Sequence, residues 1–284
     1  MLKAVGIVLH PNRSPAEVVD QVVAWASSHN MLVYALADDV ARISRGAVVV
    51  EPEELALRSS MVISLGGDGT MLRALRLAGS HARPVLGVNL GRLGFLAEVD
   101  LVDLDDALSA VDNHDFTIEP RAAVTCSVCS PTLTAFNDVA LVRIPGNKLA
   151  AVEVVVDGQP FVRYAADAVV IATPTGSTAY SFSAGGPIVS PTVDALLVIP
   201  AAPHSSFNRA IMLSSAEHLE LRVLASSGRL AVEVDGIVSS HVGPGDLLAF
   251  RVIPGAGLVV RLGRTTFYER ARRKLQVSGS AEAF

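Results

Sequence analysis

Aromatic residues make up only 5% of this 284-residue chain, with a single tryptophan, so its core has to be built from Val, Leu, Ile and Ala. Charge is sparse as well, at 18% of residues with a net charge of −5. The one basic cluster is YERARRKL, Tyr268 to Leu275, which reads as the last turns of a C-terminal helix. That balance argues against general nucleic-acid binding. No apolar run reaches the roughly eighteen residues that a membrane-crossing helix needs. Lys3 leads directly into an apolar strand, so no signal peptide is expected. Cysteine is nearly absent: Cys126 and Cys129 form one C-x-x-C. Strand residues three apart point to opposite faces, and neither a second C-x-x-C nor an H-x-x-x-H completes a zinc site. Metal or redox use of the pair is disfavoured, and a reducing cytoplasm fits.

Two familiar phosphate loops are also missing, since the chain contains neither GxxxxGK[ST] nor GxGxxG. What stands in their place is MVISLGGDGTML, Met61 to Leu72. Met61–Leu65 is apolar with β-branched Val62 and Ile63, as in a buried strand. After Gly66-Gly67-Asp68-Gly69-Thr70 the spacing turns helical, with Leu72, Leu75 and Ala78 on one face. A strand that stops at a Gly-rich turn and opens a helix outlines a phosphate site. Glycines allow close approach, and the free N–H groups of the first helical turn favour an anion. Asp68 does not fit that outline, because a carboxylate repels phosphate. It is either a helix N-cap or a group aimed at a hydroxyl or a metal.

Around this stretch the chain alternates strands and helices. Lys3–Leu9 reads as a buried strand, and Ser14-Pro15-Ala16-Glu17 as a capping box opening a helix with Val18, Val19, Val22, Val23 and Ala26 inward. Met31–Ala35 is a second strand, residues 36–50 are ambiguous apart from a short strand at Ala47–Val50, and Pro52–Arg58 is a short helix. Pro84–Val88 is a further strand, and Asp103–Val111 an amphipathic helix. The alternation predicts a parallel sheet with helices on its faces. Ligands bind such sheets at the carboxyl ends of the strands, where the Gly-rich stretches 66–70 and 91–94 are expected to face one cleft. From Phe116 onward short β-rich runs take over, with Asp157-Gly158 and Asp235-Gly236 as hairpin turns. The reading is an α/β domain over 1–118, a β-rich domain over 119–265, and a C-terminal helix within 266–284 that returns to the first.

A second dense cluster, Thr173 to Pro187, follows the apolar strand Ala168–Ala172. Hydroxyls at 173, 175, 177, 178, 181 and 183 make a wall of donors without fixed charge, suited to a ribose, a phosphate edge or an amide. Tyr180 suits stacking on a flat ring, and Asp167 precedes the strand. The alternative is a Ser/Thr-rich surface loop.

These motifs occur together: GGDGT at 66–70, N-x-G-x-L-G-F at Asn89 to Phe95, Asn137-Asp138, TPTGSTAY at 173–180 and GGPI at 185–188. Pro203-His204, Val234-Asp235-Gly236, Gly245-Asp246 and the aromatic-basic helix at 267–275 follow. In this set, over nearly its whole length, the chain resembles the NAD kinases. GGDGT alone is shared in variant forms by lipid kinases and phosphofructokinase-like enzymes; GGDGT with TPTGSTAY is highly specific.

The resemblance implies a phosphofructokinase-like α/β domain with a β-rich C-terminal domain. It implies transfer of phosphate from ATP, or polyphosphate, to the adenosine-ribose 2′-hydroxyl of NAD, giving NADP. Asp68 would then take or orient the hydroxyl proton. Gly66, Gly67, Gly69 and Thr70 would hold the donor phosphates, with Mg²⁺ or another divalent cation bridging them and no fixed protein ligands for it. Asp235 would lie close to the donor or a neighbouring subunit. Asn137 and Asp138 would bind the adenine and ribose of NAD, with Phe95 near the adenine. Asp68 and Gly69, with Thr175, Thr178, Ala179, Tyr180 and Ser183, would line the dinucleotide pocket, and Asp167 would lie near the nicotinamide end. Assembly as a homodimer or homotetramer through the β domain is implied too.

Three stretches depart from the family pattern. Phe136-Asn137-Asp138 replaces Leu-Asn-Glu, with an acid one methylene shorter. Ala166-Asp167-Ala168 replaces Gly-Asp-Gly, which would strain the backbone by about 1 kcal/mol or more wherever φ had to be positive. Ile237 replaces a Gln. They motivate an alternative, a catalytically weak NAD(P)-binding paralogue acting as a sensor. A lipid kinase would need a large apolar pocket, and residues 173–183 supply mainly small polar side chains.

Overall fold

The computed structural model describes residues 2–13, 16–43, 46–91, 94–128, 132–205 and 207–277. It separates into two compact units, one formed by Met1–Pro120 with Gly257–Phe284, the other by Arg121–Ala256.

The first unit contains β1 (Ala4–Leu9), α1 (Ala16–Ser28), β2 (Leu32–Ala35), α2 (Ala37–Val40), β3 (Ala47–Val49) and α3 (Pro52–Arg58). It continues with β4 (Met61–Gly66), α4 (Asp68–Gly79), β5 (Pro84–Asn89), β6 (Val99–Asp100) and α5 (Leu104–Asp112). Strands β5, β4, β1, β2 and β3 lie side by side in that order, all parallel. Every residue of β1 and β4 is buried, which is why neither shows polar alternation in the sequence. The core joins Val5, Ile7, Ile63, Leu65, Leu86 and Val88 to Val19 and Val22 of α1 and to Leu104 and Leu108 of α5. The ambiguous segment 36–50 resolves into α2 and β3, and a 3-10 turn, Leu101–Asp103, precedes α5. The expected capping box involves Ser14 and Pro15, which lie outside the described residues.

The second part of the chain runs through β7 (Thr117–Ser127), β8 (Leu133–Ala135), β9 (Asp138–Arg143), β10 (Ala150–Val156), β11 (Gln159–Ala166) and β12 (Ala168–Ala172). A short helix α6 (Tyr180–Ser183), β13 (Ala195–Ala201), β14 (Ile211–Ser214) and β15 (Leu219–Val223) follow. β16 (Leu230–Val234), β17 (Ile237–Val242), β18 (Leu247–Arg261) and α7 (Phe267–Lys274) complete the order. In the second unit β14, β13, β12, β9, β16 and β17 form one antiparallel sheet. Strands β11, β10 and β15, with the first part of β18, form another antiparallel array. A single core joins the two, with Val139, Leu141, Val169, Ile171 and Val232 against Val152, Val154, Leu221 and Phe250. The last part of β18 belongs to the first unit, where Leu258 and Val259 run parallel to β5.

Both expected hairpins are present. Asp157 and Gly158 turn at φ +49° and +76°, and Asp235 and Gly236 at +48° and +79°. Two successive left-handed residues are what a two-residue hairpin turn requires. Cys126 is buried, and burial pushes its thiol up to about 12, which keeps it neutral and inert; Cys129 lies outside the described residues.

Candidate active site

At the carboxyl edge of the parallel sheet Gly66, the last residue of β4, pairs with Asn89, the last of β5. The two Gly-rich stretches therefore start from adjacent strand ends. Gly67 is the N-cap of α4 and Asp68 its first helical residue, with no side-chain cap, so the N-cap reading of Asp68 does not hold. The Asp68 carboxylate reaches instead to the second Gly-rich stretch. Oδ1 accepts the N–H of Leu96 at 3.0 Å, and Oδ2 accepts the N–H of Phe95 at 3.0 Å. Lys274, the last residue of α7, donates its ammonium to Oδ2 at 3.0 Å. Gly94 makes room for this arrangement, since a Cβ there would stand 2.2 Å from Asp68 Oδ1.

The residues expected on donor phosphates divide into two pairs. A Cβ on Gly66 would meet Thr70 Oγ1 at 2.1 Å, and Thr70 is buried behind the turn with its hydroxyl unpartnered among the described residues. Gly67 and Gly69 face open space, with nothing within 4 Å of a Cβ at either. The first N–H groups of α4 have no acceptor within the helix, the arrangement that suits an anion.

The stretch that holds Asp68 is itself held. Buried Arg261 donates to the Leu96 carbonyl at 2.7 Å and to Glu119 at 3.2 Å. Glu98 accepts the N–H groups of Leu262, Arg264 and Thr265. Helix α7 starts at a capping box in which Thr266 and Glu269 each bond the other's main-chain N–H. Its Arg270 is buried and donates to the Thr265 carbonyl at 2.9 Å. Phe95 is buried, its ring 6.3 Å from that of Phe267 and 4.6 Å from the Lys274 ammonium.

A second group of expected residues comes together within the second unit. The Asp235 carboxylate, at the β16–β17 turn, accepts the N–H groups of Phe136, Asn137 and Asp138 at 3.3, 2.7 and 3.3 Å. Asp138 is buried and accepts the N–H of Tyr180. Burial, with the like charge of Asp235 and then of Glu233, pushes its carboxyl up to about 7, against the opposing pull of that N–H. Gly176 packs on Asn137, where a Cβ would stand 2.1 Å from the carbonyl oxygen.

The hydroxyl wall is only partly a wall. Thr173 donates to the Phe136 carbonyl at 2.6 Å and accepts the Gly176 N–H at 3.1 Å, while Ser177 closes both bonds with the Val189 main chain. Thr175 and Ser181 are buried as well. A 3-10 turn over Thr175–Thr178 draws these side chains inward, where unpaired main-chain groups need them. Thr178, Ala179 and Tyr180 are half-buried and Ser183 is exposed, so these keep a face toward solvent. Asp167 pairs with Arg143 at 2.9 Å, both half-exposed. Neither Ala166 nor Ala168 has a positive φ, so the Ala-Asp-Ala departure carries no backbone strain.

Among the described residues no cluster of three or more His, Cys, Asp or Glu is able to hold a metal, and no helix is long and apolar enough to cross a membrane. Lys274, Arg261 and Glu98 were not legible as site residues. Thr266-x-x-Glu269 marks where α7 starts, but no spacing rule aims Lys274 at a residue 206 positions away.

Comparison with known proteins gives matches over both units. Residues 5–116 match the ATP-NAD kinase N-terminal domain and residues 136–262 the ATP-NAD kinase C-terminal domain. NAD kinase 1 of Streptomyces avermitilis is 35% identical, the alignment covering 98% of this chain and 88% of that protein. NAD kinase of Heliobacterium modesticaldum is also 35% identical, over 97% of this chain and 99% of the relative. Among solved structures, yeast NADH kinase complexed with NADH superposes with a TM-score of 0.87 at 27% identity, covering 100% of this chain and 90% of the other. An NAD kinase from Archaeoglobus fulgidus in complex with ATP shares the fold, with a TM-score of 0.76 at 24% identity over 97% of this chain and 100% of the other.

Proposed function

This chain belongs to the ATP-NAD kinase family, and from that membership we propose that it transfers the γ-phosphoryl group of ATP to the adenosine-ribose 2′-hydroxyl of NAD, giving NADP. The observation that carries the assignment of the reacting group is the Asp68 carboxylate. It stands at the first residue of α4, beside two open glycines, and three main-chain or ammonium donors hold it. A carboxylate offers about four acceptor positions; the one that the described residues leave on Oδ1 is assigned to a hydroxyl. In the reaction the 2′-hydroxyl proton passes to Asp68 while the 2′-oxygen bonds to the γ-phosphorus. The bond from that phosphorus to the bridging oxygen breaks, and ADP leaves with the electron pair. Positioning and charge stabilisation dominate in such transfers.

Gly67 and Gly69 are assigned to the donor phosphates, with Gly66 and Thr70 shaping the turn beneath them. A divalent cation, Mg²⁺ in this reading, would arrive on those phosphates and neutralise their charge. Asn137 and Asp138 are assigned to the adenosine of NAD, and Thr175, Thr178, Ala179, Tyr180 and Ser183 to its pocket, with Asp167 toward the nicotinamide; Phe95, expected near the adenine, is buried against Phe267 and Lys274. Asp235, expected near the donor, is reassigned: its three N–H bonds favour a clasp under Asn137 and Asp138. Donor chemistry then belongs to domain 1–118 with the helix in 266–284, and NAD binding to 119–265. Exposed Phe161, Met212, Ile237, Val238 and Leu247 in the second unit support assembly as a homodimer or homotetramer. A cytoplasmic site of action fits the two substrates.

The sensor reading has no support. Asp68 keeps its donors, and the alanines beside Asp167 are unstrained. The deciding experiment incubates the purified protein with NAD, ATP and Mg²⁺ and follows NADP with an NADP-specific dehydrogenase. Steady NADP formation is expected; a rate no higher than the protein-free control overturns the proposal. Parallel arms with NADH and with polyphosphate establish the preferred acceptor and donor.

A further inference from the structure

The first unit has no phosphate-loop lysine, yet it brings one ammonium to the start of α4. Lys274 lies 3.0 Å from Asp68 Oδ2 and 4.6 Å from the centre of the Phe95 ring. The same ring packs on Phe267, and the Phe95 N–H bonds that same Oδ2. Helix α7 thus grips both the carboxylate and the stretch that holds it. Its own seat is firm, through the Thr266–Glu269 capping box and buried Arg270.

Stability does not account for this contact. The two side chains are 35% and 26% exposed, and an ion pair so open to water contributes little to stability. A lysine loses rotamer freedom on being fixed, which the aromatic face beneath it offsets in part. What the contact does accomplish is selection between the two carboxylate oxygens. Among the described residues Phe95 and Lys274 fill Oδ2, while Oδ1 has Leu96 alone and retains an acceptor position.

We propose that Lys274 is a positioning residue for phosphoryl transfer: it holds Asp68 in the one orientation that presents Oδ1 to the acceptor hydroxyl, and its charge offsets that of the carboxylate beside an anionic donor. This rests on the NAD kinase reading above. Lys274 touches neither substrate in this scheme and acts through Asp68.

The test uses the full chain and four variants, Lys274→Met, Lys274→Arg, Asp68→Asn and the Lys274→Met/Asp68→Asn double variant. Lys274→Met should lower kcat by about 10–100-fold, the range for a displaced catalytic group. Its KM for NAD and for ATP should stay within about twofold, as for an interaction that matters only in the transition state. Thermal unfolding should be nearly unchanged. Lys274→Arg should restore most of the rate, because it returns a cation to Oδ2. In the Asp68→Asn background Lys274→Met should change the residual rate by less than about twofold. A kcat for Lys274→Met within twofold of the parent, or an equal loss in both backgrounds, overturns the positioning role. A parent protein that forms no NADP overturns the functional reading with it, so the two failures are told apart by the parent alone.

Discussion

Gly176 lies directly against the main chain of Asn137: a Cβ would stand 2.1 Å from the carbonyl oxygen and 2.7 Å from Cα. Main-chain atoms of a segment bonded by both Asp235 and Thr173 cannot step aside cheaply. Gly176→Ala is therefore expected to destabilise the protein by about 1–3 kcal/mol, the usual range for overpacking. It should also raise KM for NAD more than it lowers kcat. Urea unfolding and steady-state kinetics on the same preparation check both.

Asp68→Asn keeps the size of the side chain but removes the charge and the proton-accepting oxygen. NAD binding should stay largely intact, while turnover falls by about 10²–10⁴-fold, the usual contribution of a positioned base. Near-normal turnover in that variant would take Asp68 out of the mechanism.

Gly94 and Gly67 make a contrasting pair. Gly94→Ala drives a methyl toward Asp68 Oδ1, so kcat should fall by about 10–100-fold through displacement of that group. Gly67→Ala meets nothing within 4 Å, so stability should stay within about 1 kcal/mol. If phosphate approaches there, KM for ATP should rise while KM for NAD does not. Equal behaviour of the two variants would remove the distinction between the closed and open sides of the turn.

Asp138 makes stability depend on pH with a definite sign. Its folded value, about 7, lies above the ordinary 3.8. The folded state therefore holds the proton where the unfolded state has released it. The stabilisation is complete below the ordinary value and is lost as pH rises to about 7. Its slope is at most about 1.4 kcal/mol per pH unit. Asp138→Asn cannot release a proton, so its melting temperature relative to the parent should increase between pH 5 and pH 8. A constant difference across that range would show that Asp138 does not titrate there.

Much of the fold was readable because buried parallel strands and hairpin turns leave local marks. The unbroken apolar run of β4 and the two Asp-Gly turns are examples. The pairing of the Gly-rich stretches followed from where strands end. Other features depended on distant atoms. The inward use of Thr173 and Ser177 is set by carbonyl and N–H groups of Phe136 and Val189, which no composition rule reveals. The clasp made by Asp235 depends on a hairpin that brings it almost a hundred positions back to Asn137. Lys274 was visible only as one cation in a basic helix.

The first unit is discontinuous in the chain, since Arg121–Ala256 intervenes between its two parts. During synthesis the sheet around Asp68 emerges early, but Arg261 and Lys274 follow the second unit. At about 5–20 residues per second, domains made first can fold before the rest exists. The nascent protein thus has Asp68 without the residues that steady it, until translation of the second unit is over. Order of synthesis places completion of the reacting group after translation of the whole second unit.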